Sequence, residues 1–154
     1  MISDICAPTD AVLERIIDDI ETADAEELLA ACPGKCLKQI LEESRATSYE
    51  CFGSVKDGEL LGLFGISCNS HEGEVGIPWA VFTITGRKHR RTVLETSRHL
   101  VSRWQTLHEC LTNIVDVRNA RAIRWLTWLG FEFIDEFPIG DTTFKQFFWS
   151  THNV

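Results

Sequence analysis

Between Val12 and Ile20 the apolar residues Val12, Leu13, Ile16, Ile17 and Ile20 recur three and four apart, and acidic residues fill the positions between them. That spacing places one apolar stripe on a helix, with Thr9 or Asp10 as its N-cap. A short strand, Ile2 to Cys6, precedes it. A second helix is predicted over Asp24 to Ala31, stopped by Pro33-Gly34, and a third over about Leu37 to Ser44. The period then changes. Ser48 to Val55 and Glu59 to Cys68 are apolar-rich runs with Lys56-Asp57-Gly58 between them. Asp-Gly between two such runs predicts a hairpin, because both residues tolerate positive φ. Glu74 to Thr83 reads as a third strand. Pro78 in its middle removes a ladder donor, which predicts an edge, a bulge or a splay at that point.

Gly86 breaks this strand, and a long helix is predicted over about Arg87 to Leu107, with Val93, Leu94, Leu100, Val101 and Trp104 on one side. Leu111 to Val117 reads as a buried strand. Asn119 caps the next helix, whose apolar face is Ala122, Ile123, Leu126 and Leu129. Phe131 to Asp135 is a strand, Pro138 to Asp141 turns it, and Thr143 to Trp149 returns as the last. The order is β-α-α-α-β-β-β-α-β-α-β-β, a single α/β domain of mixed α+β character, and 154 residues suit one domain.

Charge sharpens this picture. The formal net charge of −8 argues against a general nucleic-acid binder, which needs net basic surface to neutralise phosphate. The charge is uneven, however. Arg87 to Arg124 holds nine Lys/Arg and three Asp/Glu, or +6, whereas the remainder holds six and twenty, or −14. The basic stretch reads either as a solvated helix face or as an anion site.

The other chemistry is sparse. Cys6, Cys51, Cys68 and Cys110 lie in or beside apolar runs, and Cys32 and Cys36 flank Pro33-Gly34-Lys35 without CxxC spacing. No metal is expected, and the five His residues (His71, His89, His99, His108 and His152) have no ligand-like pairing. Met-Ile-Ser-Asp lacks the pattern of a secretory leader and no apolar run approaches a membrane span, so a reduced, cytoplasmic protein with no membrane partner is expected. No Gly-x-Ser-x-Gly elbow is present. The aromatic residues of the C-terminal third read mainly as core; any exposed remainder would mark a partner surface or a homodimer.

Asn119-Ala-Arg-Ala-Ile-Arg-Trp-Leu-Thr-Trp-Leu-Gly-Phe131, together with the strand order around it, resembles the closing motif of the GNAT superfamily of N-acetyltransferases. Each residue has a physical reason. Asn caps the helix, Ala lets it lie close to the sheet, and Gly allows a left-handed exit before Phe enters the core. The resemblance runs from about Ser48 to Trp149. It implies a GNAT-like fold, a central twisted mixed sheet with helices on both faces, and acetyl-coenzyme A as the cofactor. It places Phe82 and Thr83 on one wall of a slot between parted strands and Asn119 on the other.

Two departures from the family pattern fall where the chemistry should be. The family's pyrophosphate loop reads Gln/Arg-x-x-Gly-x-Gly/Ala, and its glycines let backbone N–H groups approach the phosphates at a helix N-terminus. Here it is Arg87-Lys88-His89-Arg90-Arg91-Thr92. Arg87 fits, but Arg90 and Thr92 stand where small residues are expected. The loop therefore offers phosphates charge (Arg87, Lys88, Arg90, Arg91) without the usual close backbone. The second departure is Leu126, seven residues after Asn119, where many members carry the Tyr that protonates the leaving thiolate; Leu cannot transfer a proton. Tyr49, the chain's single Tyr, lies in a different strand. For a general base the candidates are His71, Glu72, Glu74 and Asp116, each near a strand that could approach the site.

A looser resemblance joins Gly76-x-x-Trp79, the basic Gly86-Arg-Lys-x-Arg-Arg91 helix start and Asn119-x-x-x-Ile-Arg-x-Leu-x-x-Leu-Gly130 to small acetyltransferase-like proteins of T7-like and related podophages. It implies a protein of the infected cell's cytoplasm or the virion, with a host or virion protein as partner. Two readings stay open: an enzyme that acetylates an amine, and a degenerate GNAT scaffold that binds a partner protein.

Overall fold

The computed structural model describes residues 3–69 and 73–151. The candidates His71 and Glu72, and His152, lie outside the described residues. Seven strands form one sheet in the order β1-β2-β3-β4-β5-β7-β6. They are β1 (Asp4–Cys6), β2 (Glu50–Lys56), β3 (Glu59–Cys68), β4 (Val75–Phe82), β5 (Cys110–Asp116), β6 (Glu132–Ile139) and β7 (Thr142–Ser150). The helices are α1 (Asp10–Asp19), α2 (Thr22–Ala31), α3 (Leu37–Thr47), α4 (Arg90–Leu107) and α5 (Ala120–Trp128). All pairings are antiparallel except β4 with β5.

Strand alternation sorts the core into two layers. Leu60, Leu63 and Val81 pack with Val12, Leu13, Ile16 and Leu41 of α1 and α3. Phe64 and Ile66 face the other way, against Leu100, Val101 and Trp104 of α4 and Leu126 of α5. Asp57 and Gly58 both have positive φ, 52° and 77°, as the hairpin between β2 and β3 requires. Gly130 leaves α5 at φ 96° and Phe131 enters the core behind it.

Of the boundaries that differ from these expectations, two bear on the basic stretch and the sheet edge. The basic stretch does not begin α4 directly: Thr85–His89 is a 3₁₀ turn and α4 starts at Arg90. β6 runs through Pro138 to Ile139, leaving Gly140-Asp141 as the turn. Pro138 does not end the strand because β6 is an edge strand, where the donor that proline lacks can fall on the open side.

Candidate functional site

β4 and β5 pair only at their first residues, Val75 with Cys110 and Gly76 with Leu111, and then part. Pro78 lies where they separate. Asn113 Nδ2 donates to Pro78 O at 2.9 Å, so that carbonyl points toward β5. N–H and C=O of one strand residue point to the same side, so the donor that Pro78 lacks falls on the widening gap, where no ladder needs it. Ala80 and Phe82 share this orientation.

Parted strands leave backbone N–H groups that must be satisfied. Two carboxylates of α2 do this. Asp24 Oδ2 accepts from Phe82 N–H at 3.0 Å, and Glu27 Oε1 accepts from Asp116 N–H at 2.9 Å. Asn119 ties them together: its Nδ2 donates to Asp24 Oδ1 at 3.0 Å and to Glu27 Oε1 at 3.3 Å. Its Oδ1 accepts from Ala122 N–H at 3.2 Å, the expected cap. Glu21 N–H also donates to Phe82 O at 2.9 Å. Both walls of the slot are thus bonded internally, and Asn119 is only 2% exposed.

A cleft of about 630 Å³ opens beside this junction. Phe82, Thr83, Asn119 and Trp125 line it together with Arg87, Arg90, Arg121 and Arg124. Glu21, 5% exposed, lies in its wall. Arg87 donates to Glu21 from Nε at 2.6 Å and from Nη2 at 2.8 Å, and Arg121 donates from Nη1 at 2.7 Å. Burial pushes the Glu21 carboxyl up, but the two guanidinium groups more than offset this and hold it below the usual carboxylate range.

The remaining basic residues divide the same way. Lys88 and His89 bond to Glu59 and Arg91 bonds to Glu95, so Lys88 and Arg91 are occupied on the surface. Thr92 is buried in α4. Arg90 and Arg124 line the cleft and make no ion pair with any described residue. Trp125 Nε1 is a buried donor with no hydrogen-bond partner among the described residues, in a side chain that also lines the cleft. An unsatisfied buried donor costs free energy, which an acceptor reaching it would relieve.

A second cavity, about 400 Å³, occupies the gap between the parted strands. Leu28, Ile40, Leu41, Ile77 and Trp79 supply apolar wall, and Asp24 and Glu27 supply charge. No Lys or Arg is among its described lining residues. Asp24, Phe82, Ala122 and Trp125 belong to both cavities and form the partition between them. The Phe82 and Trp125 rings meet edge to face at 5.2 Å.

Of the base candidates read from sequence, the two among the described residues, Glu74 and Asp116, are not placed for the role. Glu74 precedes β4, at the closed end of the V, about 26 Å of strand from Phe82 at 3.3 Å per residue. Asp116 is at the gap but 1% exposed. Arg118 binds both its oxygens and Thr142 Oγ1 donates to Oδ1. Burial would raise its carboxyl, yet these bonds keep it below the usual range, so it holds a charge without accepting a proton. Leu126 is 4% exposed in the core. Tyr49 cannot replace it, because its hydroxyl bonds to His108 Nε2 at 2.6 Å, and His108 packs on Gly76 at the closed end. Asp24 and Glu27 were not among the candidate site residues read from sequence. The available signal was the stripe Asp24, Glu27, Leu28, Ala31, which puts two carboxylates on the same helix face as two apolar residues.

No protein-family model matches the chain, and no curated protein matches it by sequence. Solved structures do match. The chain is similar to AAC(6')-Ib in complex with ribostamycin and coenzyme A, with a TM-score of 0.71 and 14% identity over 98% of this chain and 94% of that one. A probable acetyltransferase from Staphylococcus epidermidis gives a TM-score of 0.69 and 16% identity over 97% and 99%. A GCN5-related N-acetyltransferase from Kribbella flavida gives 0.68 and 15% over 96% of each. At these identities the likeness establishes the fold, the mixed sheet with helices on both faces that GNAT acetyltransferases share.

Proposed function

We propose that this chain moves an acyl group, acetyl in the simplest case, from a coenzyme A thioester to an amine. The observation that supports it most directly is the parting of β4 and β5 beside a cleft with two guanidinium groups and a buried N–H that are unpaired among the described residues. Arg90 and Arg124 have the charge to hold phosphates, and Trp125 Nε1 can donate to an acceptor further along the same ligand. Such a donor, when bound, supplies an activated acyl carbonyl. The backbone fits less fully. Phe82 N–H is held by Asp24, which leaves Ala80 as the β4 residue whose N–H and C=O face the gap. The solved neighbour that holds coenzyme A supports this class of donor. The test is thermal unfolding with millimolar acetyl-coenzyme A. At a hundred times its Kd a ligand stabilises by about 2.7 kcal/mol, and a melting curve that does not move overturns the proposal.

A second reading has its own observations. Leu126 replaces a proton donor, Glu21 occupies Arg87, and Asp24 occupies the Phe82 N–H. These suit a GNAT scaffold that binds a partner protein instead of turning over a donor. The podophage resemblance makes that partner a host or virion protein. This reading predicts a defined complex that persists when coenzyme A is added in excess; the acyl-transfer reading predicts none.

A further inference from the structure

Three carboxylates meet at the gap, and their bonding separates them. Asp24 uses both oxygens, one for Phe82 N–H and one for the Asn119 amide. Asp116 has both oxygens committed to Arg118. Glu27 is bound through Oε1 alone, by Asp116 N–H and Asn119 Nδ2, and its Oε2 has no hydrogen-bond partner among the described residues. One oxygen is fixed and the other is free, on the wall of a largely apolar cavity.

We infer that Glu27 is the proton acceptor of the site and that the gap cavity receives a primary amine with an apolar body. The inference rests on the acyl-transfer reading and adds to it the residue and the acceptor. The cavity has carboxylates and no described cation on its wall, so it attracts an ammonium group, while Leu28, Ile40, Ile77 and Trp79 offer surface to a hydrocarbon. The step is one proton transfer. An N–H bond of the ammonium breaks, an O–H bond forms at Glu27 Oε2, and the electron pair of the broken bond stays on nitrogen as the lone pair that can attack. Charge balances, since an ammonium and a carboxylate become a neutral amine and a neutral acid.

The surroundings suit this exchange. Burial, and the charges of Asp24 and Asp116, push the Glu27 carboxyl up to about 7, against the opposing bonds from Asp116 N–H and Asn119. Charged groups near it are Asp24 on its own helix and Asp116 with Arg118 beyond β5; Glu21 with Arg87 and Arg121 lies across the partition. A base held near neutrality exchanges protons in both directions more readily than an ordinary carboxylate.

The experiment uses the full chain labelled with 13C and 15N, the Glu27 carboxyl signal assigned through its couplings to the assigned Glu27 side chain and backbone. The probe is 2-phenylethylamine, with 2-phenylethanol as a neutral match in shape. The amine is expected to lower the apparent Glu27 pKa by enough to change its protonation equilibrium at least tenfold, and the alcohol to leave it in place. An unchanged titration with the amine overturns the inference, and this measurement on the unmodified chain decides it even if a variant misfolds. In parallel, Glu27→Gln and Glu27→Asp are assayed for acetyl transfer to the same amine and for binding of desulfo-coenzyme A. Expected are a hundredfold or greater loss of kcat in Glu27→Gln, partial recovery in Glu27→Asp, and unchanged desulfo-coenzyme A affinity. If desulfo-coenzyme A does not bind the unmodified chain, the acyl-transfer reading fails. If it binds and Glu27→Gln keeps its rate and pH profile, this inference alone fails.

Discussion

The cleft at the start of α4 and the gap between β4 and β5 share a wall but carry opposite charge. Four arginines line the cleft, two of them neutralised by Glu21. The gap has Asp24 and Glu27 and no described cation. The partition of Asp24, Phe82, Ala122 and Trp125 is thin enough for single side chains to line both spaces. A molecule with an anionic end and one with a cationic end would sort themselves between the two by Coulomb attraction, which is stronger where protein excludes water. The difference also shows how each space is held. The cleft is built on ion pairs reaching to solvent, whereas the gap is built on carboxylates satisfying backbone N–H groups.

The gap's cost in stability is the largest effect expected. Below pH 4.5 the Glu27 carboxyl is protonated in the folded and unfolded chain alike and makes no difference. Between 4.5 and about 7 the unfolded chain loses the proton first, so stability falls as pH rises. Above 7 the cost is constant, on the order of 3 kcal/mol. Glu27→Gln keeps an oxygen for Asp116 N–H and removes the charge. It is expected to stabilise the chain by about that amount at pH 8 and by little at pH 4. Urea unfolding at both pH values checks this; equal effects at the two would place Glu27 in solvent.

The cleft responds in the opposite sense. Glu21→Ala leaves Arg87 and Arg121 without their carboxylate and is expected to destabilise by about 2 kcal/mol at pH 7, less than a fully buried pair because both arginines are half exposed. Its carboxyl is held low, so the contribution is present above its ordinary pKa and is lost as pH falls through the lowered value. Unfolding of the variant and of the unmodified chain should therefore converge in acid. Persistence of the difference at pH 2 would show that packing, not charge, is what Glu21 supplies.

How much of this could be read from sequence follows from range. The hairpin at Asp57-Gly58, the Asn119 cap and the Gly130 exit are local, because the residues that need one another are within a few positions, and all three are found in the structure. The basic stretch was visible as charge, but its partners were not. Glu21 is 66 residues from Arg87, and Glu59 is 29 from Lys88. Only folding shows that four of the six residues from Arg87 to Thr92 are occupied and that Arg90 remains. The splay was signalled by Pro78 and by the resemblance, and its filling by α2 was hidden because Asp24 and Glu27 look like solvated acids until β4 and β5 part.

Reversing the cleft's free charge separates binding from folding. Arg90 and Arg124 are exposed and unpaired among the described residues, so Arg90→Glu with Arg124→Glu should leave stability within about 0.5 kcal/mol. Coenzyme A affinity should fall at least tenfold, about 1.4 kcal/mol, and more steeply at low salt. Calorimetric titration at two salt concentrations reads both. An unchanged Kd would mean that phosphates are held elsewhere.

Trp125 gives the smallest effect and bears on the partition itself. Its Nε1 is buried without a partner among the described residues, so the chain carries a desolvated donor. Trp125→Phe removes that donor and keeps an aromatic edge for Phe82, which it now meets at 5.2 Å. The lost donor favours the variant and the lost ring volume opposes it, so the net change in unliganded stability should stay under about 1 kcal/mol in either direction. With coenzyme A bound the two should differ, because only Trp supplies a hydrogen bond to an acceptor in the cleft. A Kd ratio of about five between Trp and Phe would place the ligand against the partition. Equal affinities would leave the ligand bound by Arg90 and Arg124 at the mouth, with the partition closed between it and Glu27.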